Sequence, residues 1–184
     1  HPSLSTPPPS IGFPPDASLL VLGQVPDINV SLAGSQWAWE IGGCKDGTLP
    51  TFDLEQAVRT SQFVAESVQK QQLLAIHDIG EGGLAVAAAE MAIDSGFGAQ
   101  ILDHCDHISM FNESGGRFLA VVANELVDSF LKDANERGVP AAQIGRTGGT
   151  SLNFGSEITI PISELESAYR NELPKALGLG TVSA

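Results

Sequence analysis

Residues 77–92 read HDIGEGGLAVAAAEMA, and the apolar stretch Leu73-Leu74-Ala75-Ile76 runs straight into them. A short apolar run, then acids and glycines, then Leu84, Ala87, Ala88 and Met91 at helical spacing describe a strand that delivers its end to the mouth of a helix. The spacing predicts a buried strand over 73–78 and a helix that opens at Gly82-Gly83 and is closed by Gly96. The many alanines let that helix lie close against a sheet. An ordinary turn needs one glycine. Two in tandem at a helix start let the backbone approach either a ligand or another backbone. His77, Asp78, Glu81, Gly82 and Gly83 therefore carry two readings. In one, free N–H groups and the helix dipole receive an anion, with Asp78 and Glu81 able to hold a Mg²⁺ that bridges phosphates. In the other, Asp78 or Glu81 caps the helix and the glycines serve packing. Spacing does not choose between them, because neither GxxxxGK[ST] nor GxGxxG is present.

Outward from this unit, strands and helices interleave. SLLVL at 18–22 is an apolar run ended by Gly23 and reads as a strand. Ala33-Gly34-Ser35 reads as a tight loop with Trp37 and Trp39 packed beside it, followed by loop from Gly42 to Thr48. Asp53 is placed to cap a helix running to about Gln71, with Gln56 at the capping-box position. Residues 98–103 and 118–122 read as strands, about 126–137 as a helix capped by Gly138, and 141–149 as strand and turn. Residues 150–160 form a predicted hairpin across Gly155-Ser156. Ser163 and Glu166 suggest a second capping box, for a last helix ending near Pro174. Hairpins among alternating units favour an α+β fold, a mixed sheet in α/β layers, over a purely parallel doubly wound sheet. The Pro- and Ser-rich residues 1–17 read as a linker from an upstream domain, 18–177 as the domain, and 178–184 as a flexible tail.

A second constellation is Asn112-Glu113-Ser114-Gly115-Gly116-Arg117, just before the strand at 118–122. Arg117 can fork onto a phosphate or carboxylate, and Glu113 can orient an amide or a cation. Alternatively, Glu113 and Arg117 close the loop as an internal ion pair. DHCDH at 103–107 offers His104, Cys105 and His107 as metal ligands, but no second ligand cluster with familiar spacing accompanies it, and a surface connection is the better reading.

Composition narrows the functional classes. The 184 residues are 42% hydrophobic and only 17% charged, with 22 acids against 9 bases, a net charge of −13. An acidic surface has nothing with which to replace the counterions of a duplex, so nucleic acid is excluded as a partner, while phosphate ligands held by helix N-termini and a single Arg are not. No apolar run is long enough for a membrane span. Cys44 and Cys105 form no CxxC and read as two reduced thiols.

HDIGEGGLAVAAAE (77–90) together with FNESGGRF (111–118) resembles the C-terminal-type domain of the aminoimidazole ribonucleotide synthetase superfamily. Within it, the chain is most similar to the last domain of the phosphoribosylformylglycinamidine synthase family, whose signatures read HD-[IV]-x-[DE]-GGL-x-V-A-x-AE and [LF]-F-x-ES-x-x-R-[FY]. TPPPSIG, LLVLG, LAGSQW, IGRTGG and ISELESAYRNELPKAL follow the same family in the same order, so the resemblance spans nearly the whole chain. Selenophosphate synthetase, the HypE-type hydrogenase maturation protein and thiamine-monophosphate kinase are cousins with the same domain type. The resemblance implies a PurM C-terminal-domain-like fold. It also implies part of a cytoplasmic ATP- and Mg²⁺-dependent ligase of purine synthesis, which converts formylglycinamide ribonucleotide to the amidine. Its implied partners are upstream N-type domains of the same polypeptide, a glutaminase subunit supplying ammonia, and a small accessory subunit. No complete active site is expected in one C-type domain, so no residue is assigned a catalytic or metal-binding role. The ligand-facing candidates are His77, Asp78, Gly82, Gly83, Glu113, Ser114, Arg117, Gly34 and Ser35. Two departures stand out: Gly80 where many relatives carry Ser, which removes a hydroxyl donor, and Ala33 for the first glycine of the LGGS pattern.

Overall fold

SLLVL has no polar alternation, and the structure shows why: all five residues of β1 (Ser18–Leu22) are buried. In a strand, successive side chains point to opposite faces, so a strand buried throughout must be covered on both. Leu19 and Val21 face one hydrophobic core, Leu20 and Leu22 the other. The computed structural model describes residues 8–24, 32–44, 46–102 and 105–179. The elements that follow β1 are α1 (Gln36–Gly42), α2 (Leu54–Gln69), β2 (Ala75–Asp78), α3 (Gly83–Ser95), β3 (Ala99–Ile101), α4 (His107–Phe111) and β4 (Phe118–Val122). A 3₁₀ turn then leads to α5 (Val127–Glu136), β5 (Ala141–Thr147), β6 (Ser151–Phe154), β7 (Ile158–Pro161) and α6 (Ile162–Ala176).

The strands form one seven-stranded sheet in the order β2-β4-β1-β5-β3-β6-β7. Every pairing is antiparallel except β3 with β6, so this is the expected mixed sheet in an α+β layer fold. β1 runs against β4 from Ser18↔Val122 to Leu22↔Phe118, and against β5 with an irregularity between Leu19 and Leu20. On one face, α3 contributes Leu84, Ala87, Ala88, Met91 and Ala92, joined by Met110 of α4 and Ile162 of α6. On the other, α2 and α5 cover β2, β4 and β1, and Phe63 meets Phe130 edge-on with ring centroids 5.1 Å apart. Arg137 at the end of α5 ties the two helices together: it reaches Glu66 at 2.6 Å and Asp133 at 3.0 Å, and holds the Glu66 carboxyl below its ordinary range.

The structure differs from the expected elements in several places. The segment 36–42, which carries the two tryptophans and whose pattern predicts no element, is helix α1, with Ser35 as its cap. Residues 107–111 form α4, capped by Asp106, whose carboxylate is lowered by bonds from Ser109 and Ile108. Asp53 does cap α2 by accepting from the Gln56 amide, but the Gln56 side chain turns to Thr60 and the Gly138 carbonyl instead of closing a capping box. No side chain caps α6, which starts at Ile162 and carries Pro174 inside its last turn. The strand expected over 73–78 is half-buried, not buried, because β2 is an edge of the sheet with Asp78 exposed. Within 8–17, read as linker, Ser10 bridges to Ala75, and Phe13 and Ala17 lie in the core. The Pro-rich composition hides that Phe13 is an anchor. Residues 1–7 and 180–184 lie outside the described residues, as do 27–31 and His104.

Candidate functional site

Both glycines at the mouth of α3 have positive φ, 75° at Gly82 and 67° at Gly83. A Cβ at Gly83 would lie 2.6 Å from the Met110 carbonyl oxygen and 2.9 Å from that of Asn112. The tandem glycines therefore serve a close approach to another piece of backbone, the end of α4. The helix has no side-chain cap of its own at Gly82. Instead, Glu113 Oε1 accepts from the Gly82 amide at 2.9 Å and from the Gln36 amide, the first residue of α1, at 2.8 Å. One carboxylate oxygen thus joins the starts of two helices far apart in sequence. The position at which a helix N-terminus attracts an anion is filled by the protein's own anion.

The same carboxylate borders a cavity of about 110 Å³ with Gly34, Ser35, Leu49, Pro50 and Asn112. Ser35 Oγ donates to the Leu32 carbonyl at 2.6 Å and accepts from the Ala38 amide at 3.2 Å, which fixes the turn that shapes this cavity. A wider hollow of about 400 Å³ continues along α1 past Gln36, Trp39 and Cys44. Trp37 anchors α1 on the other side, with its ring 5.5 Å from His107 and 6.4 Å from Phe111.

Arg117 is 3% exposed, yet among the described residues no carboxylate lies within ion-pair distance of it. Its guanidinium donates to the carbonyls of Ser114, at 3.1 Å, and of Asn112. Burial pushes it down to about 10, so it remains a cation at neutral pH, solvated by backbone oxygens. The expected internal Glu113–Arg117 pair is therefore replaced by two separate jobs: Glu113 joins helices, and Arg117 braces the loop from within. Ser114 presents its amide to Asn112 Oδ1 at 2.9 Å. Asn112 itself is 1% exposed, and its Nδ2 has no partner among the described residues.

His77 and Asp78 do not join this cluster. His77 Nδ1 is 2.6 Å from the Asp78 carbonyl oxygen and Nε2 is 3.4 Å from Glu90, in the middle of α3. It faces a separate cavity of about 240 Å³ between the sheet edge, α3 and α6, lined also by Ile11, Ile93, Tyr169 and Arg170. Asp78 follows His77 at the end of β2 and is three-quarters exposed, with its Oδ1 3.7 Å from His77 Nδ1. No group of three or more His, Cys, Asp or Glu side chains that could hold a metal ion is assembled among the described residues. Cys44 and Cys105 are both free thiols. Sequence reasoning missed Gln36 and Glu90, and gave Asn112 no role of its own within the second constellation. For Asn112 the signal was present, as an Asn two residues before a Ser at the start of a loop.

The family model that describes the AIR synthase related protein, C-terminal domain, matches residues 15–154. The synthetase subunit PurL of phosphoribosylformylglycinamidine synthase from Parafrankia sp. (strain EAN1pec) is 36% identical over 177 residues, 92% of this chain and 23% of the relative. The corresponding subunit from Sinorhizobium fredii (strain NBRC 101917 / NGR234) is 34% identical over 89% of this chain and 22% of its own length. The chain thus spans less than a quarter of these relatives. Among solved structures, Thermotoga maritima PurL complexed with FGAR superposes with a TM-score of 0.68 at 15% identity, over 86% of this chain and 29% of that one. The hydrogenase maturation protein HypE does so at 0.53 and 16%, over 78% of this chain and 51% of that one. No described helix is long and apolar enough to cross a membrane. With the family model matched across most of its length, the chain belongs to the AIR synthase related proteins, as their C-terminal domain.

Proposed function

We propose that this domain forms one wall of the synthetase in phosphoribosylformylglycinamidine synthase. That enzyme uses ATP and Mg²⁺ to activate the amide of formylglycinamide ribonucleotide for attack by glutamine-derived ammonia. Similarity to PurL subunits over nearly the whole chain supports the reading. So does the likeness of its fold to PurL structures, which carry FGAR, ADP or ATP. In this reading the glutaminase and small accessory subunits act on the complete cytoplasmic enzyme, and the domain alone is inactive.

The observation that carries the reading of this domain's own share is the Glu113 bridge. A phosphate at the α3 mouth would have to displace or face a carboxylate already bonded there. Gly82, Gly83 and Glu113 thus act as a joint, and nucleotide phosphates and the metal are held by upstream N-type domains. Gly34, Ser35 and Ser114 are the residues left to face a ligand directly. What such a ligand presents to Glu113 is a donor, a hydroxyl or amide N–H, rather than a phosphate oxygen. Arg117 supports this wall from behind, and His77 and Asp78 stand outside it.

The test is thermal unfolding of the chain across a concentration series of Mg-ADP and Mg-ATP. A ligand at about 100 times its Kd stabilises by roughly 2.7 kcal/mol. The expected result is no saturable shift for the domain alone, together with FGAR-dependent ATP turnover in the complete polypeptide. A saturable shift in the isolated chain, lost in Ser35→Ala, would place a nucleotide site here and overturn the assignment.

A further inference from the structure

The cavity of about 240 Å³ beside His77 takes no part in the Glu113 wall. Helical spacing gathers its acids: Glu90 and Asp94 stand one turn apart on α3 and so share a face. Segment 10–13 crosses that helix. The Phe13 amide donates to the Met91 carbonyl at 3.3 Å, and a Cβ at Gly12 would lie 2.7 Å from Asp94 Oδ2. The crossing brings Ile11 to the cavity, where it joins Ile93 as apolar lining, and α6 contributes Tyr169 and Arg170.

His77 supplies the deciding observation. A carbonyl oxygen can only accept, so Nδ1, 2.6 Å from the Asp78 carbonyl, is the nitrogen that carries the proton. In the neutral ring Nε2 is then a lone pair, and its neighbour at 3.4 Å is another acceptor, Glu90 Oε2. Asp94 adds a further acceptor to the same lining. Acceptors side by side in a half-buried cavity call for a donor between them, and an ammonium, with three N–H groups, meets that need. A metal ion suits less, since no three ligating side chains converge among the described residues. Arg170 supplies the opposite sign. Its Nε donates to Glu166 at 2.7 Å, while its Nη hydrogens meet no acceptor among the described residues. Those hydrogens form a fork that fits a carboxylate.

We propose that this cavity binds a free α-amino acid with an apolar side chain. Its ammonium lies among His77 Nε2, Glu90 and Asp94, its carboxylate meets Arg170, and its side chain runs along Ile11, Ile93 and the Tyr169 ring. Size agrees, because the cavity is smaller than the roughly 300–1,000 Å³ clefts of drug-sized ligands. The inference stands apart from the synthetase reading, as none of these residues belongs to the Glu113 wall.

Titration calorimetry of the complete polypeptide with L-leucine, L-leucinamide and 4-methylpentanoate tests the proposal. The amide lacks the carboxylate and resembles the amino end of a peptide; the acid lacks the ammonium. L-Leucine should bind saturably, and each of the other two at least about ten-fold more weakly. Arg170→Met should weaken L-leucine to the level of L-leucinamide and leave L-leucinamide unchanged. Glu90→Gln should weaken L-leucine about ten-fold, because the new amide donates to Nε2 and takes the place of the ligand's ammonium. Both positions are partly exposed on helices, and unchanged urea unfolding confirms that the variants keep the fold. No saturable binding of L-leucine at millimolar concentration leaves the Glu90 contact to a doubly protonated His77 and overturns the proposal. Equal binding of L-leucine and L-leucinamide marks a site for peptide amino ends and overturns it as well. So does L-leucine binding that neither variant weakens.

Discussion

Replacing Glu113 by alanine removes the carboxylate and the two hydrogen bonds that its Oε1 accepts, and the geometry sets the scale of the loss. The bonds measure 2.8 and 2.9 Å and run from the Gln36 amide that opens α1 and the Gly82 amide at the N-cap of α3. Bonds to a charged acceptor contribute about 1.5–3 kcal/mol each when dry. Here the Gln36 side is open to solvent, so about 2 kcal/mol for the pair is the expected loss. At roughly 2–4 °C per kcal/mol for a domain of this size, the melting temperature should fall by about 4–8 °C. Glu113→Gln retains an acceptor and loses only the interaction of charge with two helix dipoles, about 0.3–1 kcal/mol. Urea unfolding measures both. A local readout is available because α1 carries Trp37 and Trp39. Alanine at 113 should shift tryptophan emission to the red and raise its quenching by acrylamide, with little change in far-UV ellipticity. Wild-type stability and quenching in the alanine variant, or a glutamine variant as damaged as the alanine one, would refute the bridge.

Gly83→Ala should destabilise by more than about 2 kcal/mol, since the new Cβ meets the carbonyl oxygens of Met110 and Asn112 at a positive φ. Gly80→Ser should stay within about 0.5 kcal/mol in the same denaturation assay, as only Asp78 Oδ2 lies near, at 3.5 Å. Arg117→Met strips the Asn112 and Ser114 carbonyls of a buried donor and should lose about 3 kcal/mol, with Arg117→Lys recovering only part because an ammonium cannot span both as a fork. Asp106→Ala should lose about 1 kcal/mol of helix capping at neutral pH. The sign of its pH dependence follows from the lowered carboxyl. Its contribution is complete above the ordinary value of 3.8 and is lost as pH falls through the lower folded value, so wild type and variant should converge in acid titrations below about pH 4.

Much of the fold is legible in the residues. The unbroken SLLVL run signals a strand covered on both faces, and it forms β1 at the centre of the sheet. The Leu84, Ala87, Ala88, Met91 stripe signals α3, and Gly96 and Gly138 mark the ends of α3 and α5 where a left-handed backbone is needed. The two short helices are not legible. In α1, apolar Trp39 and Ile41 point outward, so no buried stripe marks seven residues that are held by Ser35 and Glu113. In α4, five residues are too few for a period, and its cap Asp106 sits in a stretch that resembles a metal site. The capping box at Ser163 fails because Pro161 and Ile162 already start α6, with Ile162 drawn into the core. At the site, the motifs identify the right neighbourhood for Gly82, Gly83, Glu113 and Arg117. Their partners were hidden, because Gln36 is remote in sequence and a buried guanidinium served by backbone carbonyls has no side-chain partner to read.

The place of β1 in the sheet bears on how the chain acquires its structure. β1 is synthesised first among the strands but lies between β4 and β5, pairing Ser18 with Val122 on one side and with Arg146 on the other. Its closest contacts therefore span more than half of the chain, and the entropy of closing those loops precedes any reward from burial. A nascent chain leaving the ribosome must hold five consecutive core residues, Ser18 to Leu22, without a strand partner until β4 has emerged, and without the second until β5 follows. Pairing at the centre of the sheet therefore waits on long-range contacts and is slowed by them.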